Sequence, residues 1–236
     1  MGDANIEIRT LDSAEEMESL VTLFQQVWGA VGPIVPVELL RAVAHSGGYV
    51  AGAYESGHLV GASFGFLARH RGDAALHSHI TGILPGVQHS GLGRALKNHQ
   101  REWAAEHDID WITWTFDPLV RRNAHFNIEV LHVHVADYLV DFYGPMTDSI
   151  NAQDETDRLL VAWPVTERAV PPAVPQPSER VEVATPDDIV VLRRTDPTAA
   201  TEWRFRLRTE LGDRMAAGAV VTGFTRDGAY VLEVPT

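Results

Sequence analysis

The stretch Ile83-Leu84-Pro85-Gly86-Val87-Gln88-His89-Ser90-Gly91-Leu92-Gly93-Arg94-Ala95-Leu96 limits what this chain can fold into more than any other. An extended apolar segment, His79 to Leu84, runs into a tight, glycine-bearing bend. Leu92, Leu96, His99 and Trp103 then recur at helical spacing, so the bend opens a helix. Strand, glycine loop and helix N-terminus together make an anion site. The first N–H groups of the helix lack intrahelical partners there, and the helix dipole adds partial positive charge. Gly91 and Gly93 let a ligand come close to the backbone, since no Cβ intervenes. Such a loop suits a pyrophosphate. It lacks the Gly-Lys-Ser/Thr of a Walker A site, and no acidic ribose-binding partner makes it dinucleotide-like.

The rest of the chain falls into order around this stretch. Ile6 to Arg9 alternates as a short strand, and Asp12 with Glu15 forms a capping-box pattern before a helix striped with Met17, Leu20, Val21, Phe24, Val27 and Trp28. Gly29 ends that helix, Pro33 and Pro36 punctuate a loop, and Val37 to His45 reads as a second helix. Two strands, Tyr49–Tyr54 and Leu59–Leu67, flank a Ser56-Gly57 hairpin turn, and Arg71-Gly72-Asp73 turns the chain into a strand from Leu76 to Leu84. After the central helix come a strand at Trp111–Phe116, stopped by Asp117-Pro118, a helix from Arg122 to Leu131, and strands at Val133–Tyr143 and Arg158–Trp163.

Residues 167–180, with Pro171, Pro172, Pro175 and Pro177, read as an extended linker. Beyond it, Thr185-Pro186 and Asp196-Pro197 each start a helix by N-cap and N1-proline logic, the second striped by Trp203, Leu207, Leu211 and Met215 and closed by Gly218. Short strands follow at Ala219–Phe224 and Tyr230–Val234 around Arg226-Asp227-Gly228. The expected organisation is a core over residues 1–166, the linker 167–180, and a C-terminal extension over 181–236 docked on the core, because so few residues are marginal alone.

Composition narrows the function. A chain of 236 residues, 45% hydrophobic, buries one substantial core or one domain with an appendage. The absence of cysteine excludes disulfides, thiolate metal sites and a cysteine nucleophile, and fits a reducing compartment. No apolar run reaches membrane-spanning length and none follows a basic N-terminus, so a soluble, cytoplasmic protein with no membrane partner is expected. A formal net charge of −13 argues against nucleic acid, whose binding needs a basic footprint.

Gln88-x-x-Gly91-x-Gly93 resembles the Gln/Arg-x-x-Gly-x-Gly/Ala loop of the GNAT superfamily, the Gcn5-related N-acyltransferases. In that family the loop amides hold the coenzyme A pyrophosphate. Ile83-Leu84-Pro85 sits where the family's fourth strand leaves its neighbour to admit the pantetheine arm. The element order β-α-α-β-β-β-α-β-α-β-β resembles that family over roughly residues 5–165. The resemblance implies an α/β (α+β) fold with a central mixed, mostly antiparallel sheet flanked by helices, here with a small α/β C-terminal extension. It implies cofactor contacts from Ile83, Leu84, Gln88, His89, Ser90, Gly91, Leu92, Gly93 and Arg94, and from Asn123, which holds the family's polar position on the later helix or caps that helix. His77-Ser78-His79, Trp114 to Leu119, Arg122 to Asn127, Tyr143-Gly144 and Thr156 to Val161 further resemble a bacterial GNAT subfamily, some members of which are thought to N-succinylate amino acids. The implied co-substrate is acetyl-CoA or succinyl-CoA.

Direct acyl transfer to an amine needs a base, donors for the developing oxyanion, an acid for the thiolate, and positioning of both reactants. Main-chain groups at Ile83 and Leu84 are the expected oxyanion donors, as the resemblance implies. His77 and His79 lie two apart on a strand and share a face, so either serves as base, or the pair hydrogen-bonds within the sheet. No further ligands accompany them by spacing, and no metal is expected. The acid is open: Ile128 stands where the family carries a tyrosine and His132 replaces the glycine that follows, leaving Tyr143, Tyr138 and His125. Arg94, Lys97 and Arg101, three and four apart, share a helix face that meets the CoA 3′-phosphate or pairs with Glu102 and Glu106. Asp117, Arg121 and His125 are the expected acceptor contacts, with the loop from Gly29 to Pro36 lining the site.

The expectation is an acyl-CoA-dependent N-acyltransferase acting on the amine of a small molecule, an amino acid or related metabolite, by direct attack on the thioester. A homodimer is compatible with the sequence. The alternatives are a non-catalytic acyl-CoA-binding regulatory module and a protein-lysine acetyltransferase.

Overall fold

The computed structural model describes residues 6–87, 91–144 and 155–236. Its seven-stranded sheet has the hydrogen-bonded order β1-β2-β3-β4-β5-β7-β6, and a separate three-stranded sheet has the order β8-β10-β9. Two compact units make up the chain, one of residues 1–113 with 165–169 and the other of residues 114–164 with 170–236.

The first unit contains β1 (Ile6–Thr10), α1 (Ala14–Trp28), α2 (Val37–His45), β2 (Tyr49–Glu55), β3 (His58–His70), β4 (Asp73–Ile83), α3 (Leu92–Glu106) and the first half of β5 (Trp111–Phe116). Strands β1 to β4 are antiparallel neighbours. β4 and β5 are parallel and pair over Ala75–Trp111, Leu76–Ile112 and His77–Thr113, where the ladder stops. Met17, Leu20 and Phe24 of α1 and Leu40 of α2 pack on one sheet face against Val50, Ala62 and Phe64. Leu92 and Leu96 of α3 pack with Ala53 and Val60, with Ile83 against them. Helices therefore flank the sheet.

The start of α1 differs from the expectation by one residue. Ser13 is the N-cap: its hydroxyl accepts the Glu16 N–H, and the Glu16 carboxylate accepts the Ser13 N–H at 3.2 Å. Arg9 fixes the same carboxylate at 2.6 Å, an anchor that Glu15 lacks in the Asp12–Glu15 pattern. Gly29 ends the helix in the left-handed conformation (φ 62°), as its position after the stripe requires.

The second unit holds α4 (Arg121–His125), β6 (His134–Leu139), β7 (Arg158–Pro164), β8 (Ser178–Ala184), α5 (Ile189–Thr195), α6 (Pro197–Leu207), α7 (Arg214–Ala216), β9 (Val220–Phe224) and β10 (Ala229–Pro235). α4 is shorter than its spacing predicts, because Phe126–Val130 is a π-helical turn. The Asn127 side chain bridges it, donating to the Asn123 carbonyl at 2.8 Å and accepting from Trp114 Nε1 at 3.0 Å. The linker residues Ser178 to Arg180 belong to β8, a strand the sequence reading lacks. α5 begins at Asp188, whose carboxylate accepts the Val190 and Val191 N–H groups, while the Thr185 hydroxyl donates to the Gly228 carbonyl instead. Asp196 caps α6 as expected. Among the described residues no helix is long and apolar enough to cross a membrane.

Candidate active site

Strand β4 carries the histidine pair, His77 and His79. Across its ladder with β3, Phe64 faces Ile80 and Gly65 faces Ser78, so His79 is the extra residue of a β-bulge. The partner strand passes the bulge at Gly65, where a Cβ would stand 2.9 Å from the His77 carbonyl oxygen. The Phe66 ring lies 5.2 Å from the His77 ring and 5.7 Å from that of His79, and the two imidazoles are 6.1 Å apart. The two histidines therefore share a face, as their spacing predicts.

Their environments make them neutral groups. His77 Nδ1 sits 3.1 Å from Thr113 Oγ1 at the last rung of the β4–β5 ladder. Loss of water pushes its imidazole down to about 4, and repulsion from His79 and Lys97 adds to this. Desolvation lowers His79 as well, although part of its ring is exposed. At neutral pH both rings can accept a proton.

The other face of β4 corrects the reading of Lys97. It is not on a solvated stripe with the exposed Arg94 and Arg101; it is buried with Leu92, Leu96, Gln100 and Ala104. Its Nζ donates to Ser78 Oγ at 2.8 Å and to Gln100 Oε1 at 3.4 Å, and burial pushes its ammonium down to about 7. The α3 positions Leu92, Leu96, Lys97, Gln100 and Ala104 lie at 0, 4, 5, 8 and 12, one continuous arc, which is the signal that could have found it.

The anion-site residues are held at the start of α3. Gly91 is the N-cap with φ 80°, and among the described residues no side chain caps the fifteen-residue helix. Its leading N–H groups thus keep the geometry that suits a phosphate. Leu92 is buried and packs in the cluster that Ile83 joins, while Gly93 is half-buried and Arg94 exposed. Leu84 differs from its expected role, since its N–H donates to the Val60 carbonyl at 2.9 Å and is committed to the sheet. Gln88, His89 and Ser90 lie outside the described residues.

The remaining expected residues belong to the second unit. The Tyr143 hydroxyl is 3.0 Å from Thr115 Oγ1, its amide donates to Thr156 Oγ1 at 2.9 Å, and Arg158 lies over its ring at 5.4 Å. The Asn123 N–H donates to Val120 and its carbonyl accepts from Asn127; the α4 start has no side-chain cap. His125 is exposed on α4.

Asp117 and Arg121 are engaged by the C-terminal residues. Buried Asp117 pairs with Arg193 at 2.5 Å and Arg204 at 3.5 Å, and its Oδ1 accepts the Leu119 N–H. Desolvation would raise its carboxyl, but Arg204, Arg193 and Arg158 hold it below the usual carboxylate range. Arg121 donates to Thr185 and to Asp187. Asp117 is thus the centre of a buried ion-pair cluster, not an open acceptor contact. Asp157 anchors a neighbouring cluster through Arg208 and the hydroxyl of the half-buried Tyr138, which that bond accounts for. The described residues hold no group of three or more His, Cys, Asp or Glu placed to bind a metal ion.

The chain is similar in fold to several solved acetyltransferases. The ribosomal-protein-S18-alanine N-acetyltransferase of Escherichia coli is 15% identical, with a TM-score of 0.55 over 69% of this chain and 95% of its own. The putative acetyltransferase yncA of Salmonella typhimurium, solved with its cofactor acetyl-CoA, is 16% identical, with a TM-score of 0.56 over 72% and 99%. A GNAT-family acetyltransferase of Streptococcus pneumoniae is 16% identical, with a TM-score of 0.52 over 69% and 100%. No family model and no curated protein matches the chain by sequence. The fold is therefore that of the GNAT acetyltransferases, with its mixed, mostly antiparallel sheet flanked by helices.

Proposed function

We propose that this chain, which has the GNAT fold, is an acyl-CoA-dependent N-acyltransferase that acylates the amine of a small molecule by direct attack on the thioester. One arrangement carries the reading: a bulged strand bearing two neutral imidazoles, followed by a fifteen-residue helix that opens on Gly91-Leu92-Gly93 with a glycine as its N-cap. An acyl-CoA pyrophosphate would be held at that helix N-terminus by main-chain N–H groups from Gly91 onward. Gly91 and Gly93 leave room for its oxygens to approach the backbone.

An amine reaches the site as an ammonium and must lose a proton before it attacks. His79 or His77 accepts that proton, directly or through one water, because each is uncharged at neutral pH. Attack breaks the C–S bond after a tetrahedral intermediate, whose oxyanion takes main-chain donors of β4 beyond His77, where the ladder with β5 stops. Leu84 is not among them. The thiolate takes up a proton as it leaves; Tyr143, the donor expected from sequence, belongs to the second unit, where its hydroxyl lies 3.0 Å from Thr115 Oγ1. With no cysteine in the chain, a cysteine acyl-enzyme is excluded.

The acyl group is acetyl or succinyl. The acetyl-CoA bound by the Salmonella typhimurium protein supports acetyl. The amino-acid acceptor expected from sequence loses support, since Asp117 and Arg121 are tied to Arg193, Arg204, Thr185 and Asp187. Thiol release from acetyl-CoA and succinyl-CoA over a panel of amino acids, polyamines, aromatic amines and short peptides tests the reading. Amine-dependent release supports it and selects donor and acceptor. Acyl-CoA binding with every amine silent would favour the regulatory module instead.

A further inference from the structure

We propose that Lys97 is a positioning residue for the two histidines of β4: from the buried face of the sheet its ammonium fastens Ser78, the residue that separates them at the bulge. Lys97 Nζ donates to Ser78 Oγ at 2.8 Å and to Gln100 Oε1 at 3.4 Å. Gln100 Nε2 donates to Ser63 Oγ at 3.4 Å, and Ser63 Oγ lies 2.9 Å from Thr81 Oγ1. This polar ladder grips β4 on both sides of His79, at Ser78 before it and at Thr81 after it. It also grips β3 at Ser63, opposite Thr81. The helix that supplies the ladder is α3, whose first turn carries Gly91 to Arg94. One rigid element thus links the anion site to the bulge.

Packing does not call for a lysine here. A methionine would fill the same buried position on α3 without an ammonium to desolvate. A charge kept in the core against that cost marks a task beyond filling space. The task follows from what surrounds His77. The titratable groups that face it are His79 on its own strand and Lys97 from α3; β3 brings Phe66 and β5 brings Thr113. A cation behind the strand opposes protonation of the imidazole in front of it. In the acid range where His77 titrates, Lys97 is charged, because it loses its proton only near 7.

The catalytic meaning of this device rests on the acyltransferase reading, but its geometry does not, and the two are separable by experiment. The imidazole titrations of His77 and His79 are followed by nitrogen-15 NMR in the unaltered protein, in Lys97→Met and in Ser78→Ala, with circular dichroism as the check on folding. Lys97→Met should shift His77 upward by a small, resolvable amount, since desolvation and His79 still hold it down, at a modest cost in thermal stability from the lost bonds to Ser78 and Gln100, whereas Ser78→Ala, which keeps the cation, should leave that midpoint in place. In the thiol-release assay both variants should lower kcat by at least about tenfold with KM for acetyl-CoA within about twofold of the original, since the reacting groups are misaligned while the anion site is intact. A folded Lys97→Met protein with His77 unmoved overturns the proposal, as does an unchanged kcat in both variants. If Lys97→Met does not fold, Ser78→Ala decides: a lower kcat at unchanged thermal stability supports the proposal, and an unchanged kcat overturns it. A shifted His77 in a protein that acylates no amine sinks the acyltransferase reading and leaves the positioning role standing.

Discussion

Replacing Gly65 with alanine tests the geometry of the bulge. The new Cβ would lie 2.9 Å from the His77 carbonyl oxygen, 3.3 Å from Ser78 Cα and 3.4 Å from Leu76 Cδ1. Two of these neighbours are backbone atoms of the bulged strand and cannot rotate away. Overpacking of this kind costs about 1–3 kcal/mol. Replacing a strand glycine recovers about 0.5–1 kcal/mol through the unfolded chain. The middle of these ranges is a loss of about 1–2 kcal/mol, or about 2–8 °C in Tm for a chain of this size. Gly32→Ala is the control, since nothing lies within 4 Å of its Cβ position. Thermal and urea unfolding of both variants measure the difference. Because the strain falls on His77 and Ser78, the NMR signals of the β4 histidines should move in Gly65→Ala and stay in Gly32→Ala. A Gly65→Ala protein as stable as Gly32→Ala, with unmoved histidines, would refute the reasoning.

Asp117→Asn removes a buried carboxylate that pairs with Arg193 and Arg204, so urea unfolding should report a loss of about 3–5 kcal/mol. Acid stability has a definite sign. Asp117 and Asp157 are lowered in the fold, so their contribution is present above the ordinary carboxylate value of about 4 and is lost as pH falls through their lower folded values. His77 acts earlier: between 6.5 and about 4 the unfolded chain binds a proton that the fold refuses, so stability should already decline with falling pH across that window. Urea midpoints taken from pH 7 to pH 3 check both slopes. His79→Ala should lower amine-dependent thiol release by about 100-fold or more if it is the base, with acetyl-CoA affinity unchanged by calorimetry; His77→Ala distinguishes the two imidazoles in the same assay.

Features set by local chemistry were legible in the sequence. Trp111–Phe116 is a strand because six β-forming residues end at Asp117-Pro118, and Ser56-Gly57 turns the chain with both residues at positive φ. The Ser13 cap was one residue off because two overlapping patterns fit and only the contact from Arg9 selects between them. β8 was hidden by the prolines before it, since its pairing with β10 joins residues about fifty apart. The placement of the candidate residues was legible in outline, with the histidine pair on one face and the glycines at the helix start. Its bulge was not, because register belongs to two strands together. Lys97 reads as a surface charge until Ser78 and Gln100 are seen beside it. Asp117 reads as an open carboxylate until Arg193 and Arg204, 76 and 87 residues away, close on it.

The central claim is that a bulged, histidine-bearing strand and a helix start with a glycine N-cap together make an acyl-transfer site. Thiol release from acetyl-CoA and succinyl-CoA, measured with and without amines, tests it most directly. Release that depends on an amine, leaves an N-acyl product and collapses in His79→Ala and His77→Ala together is the predicted result. No binding of either acyl-CoA by calorimetry, or release that no amine accelerates, would contradict it.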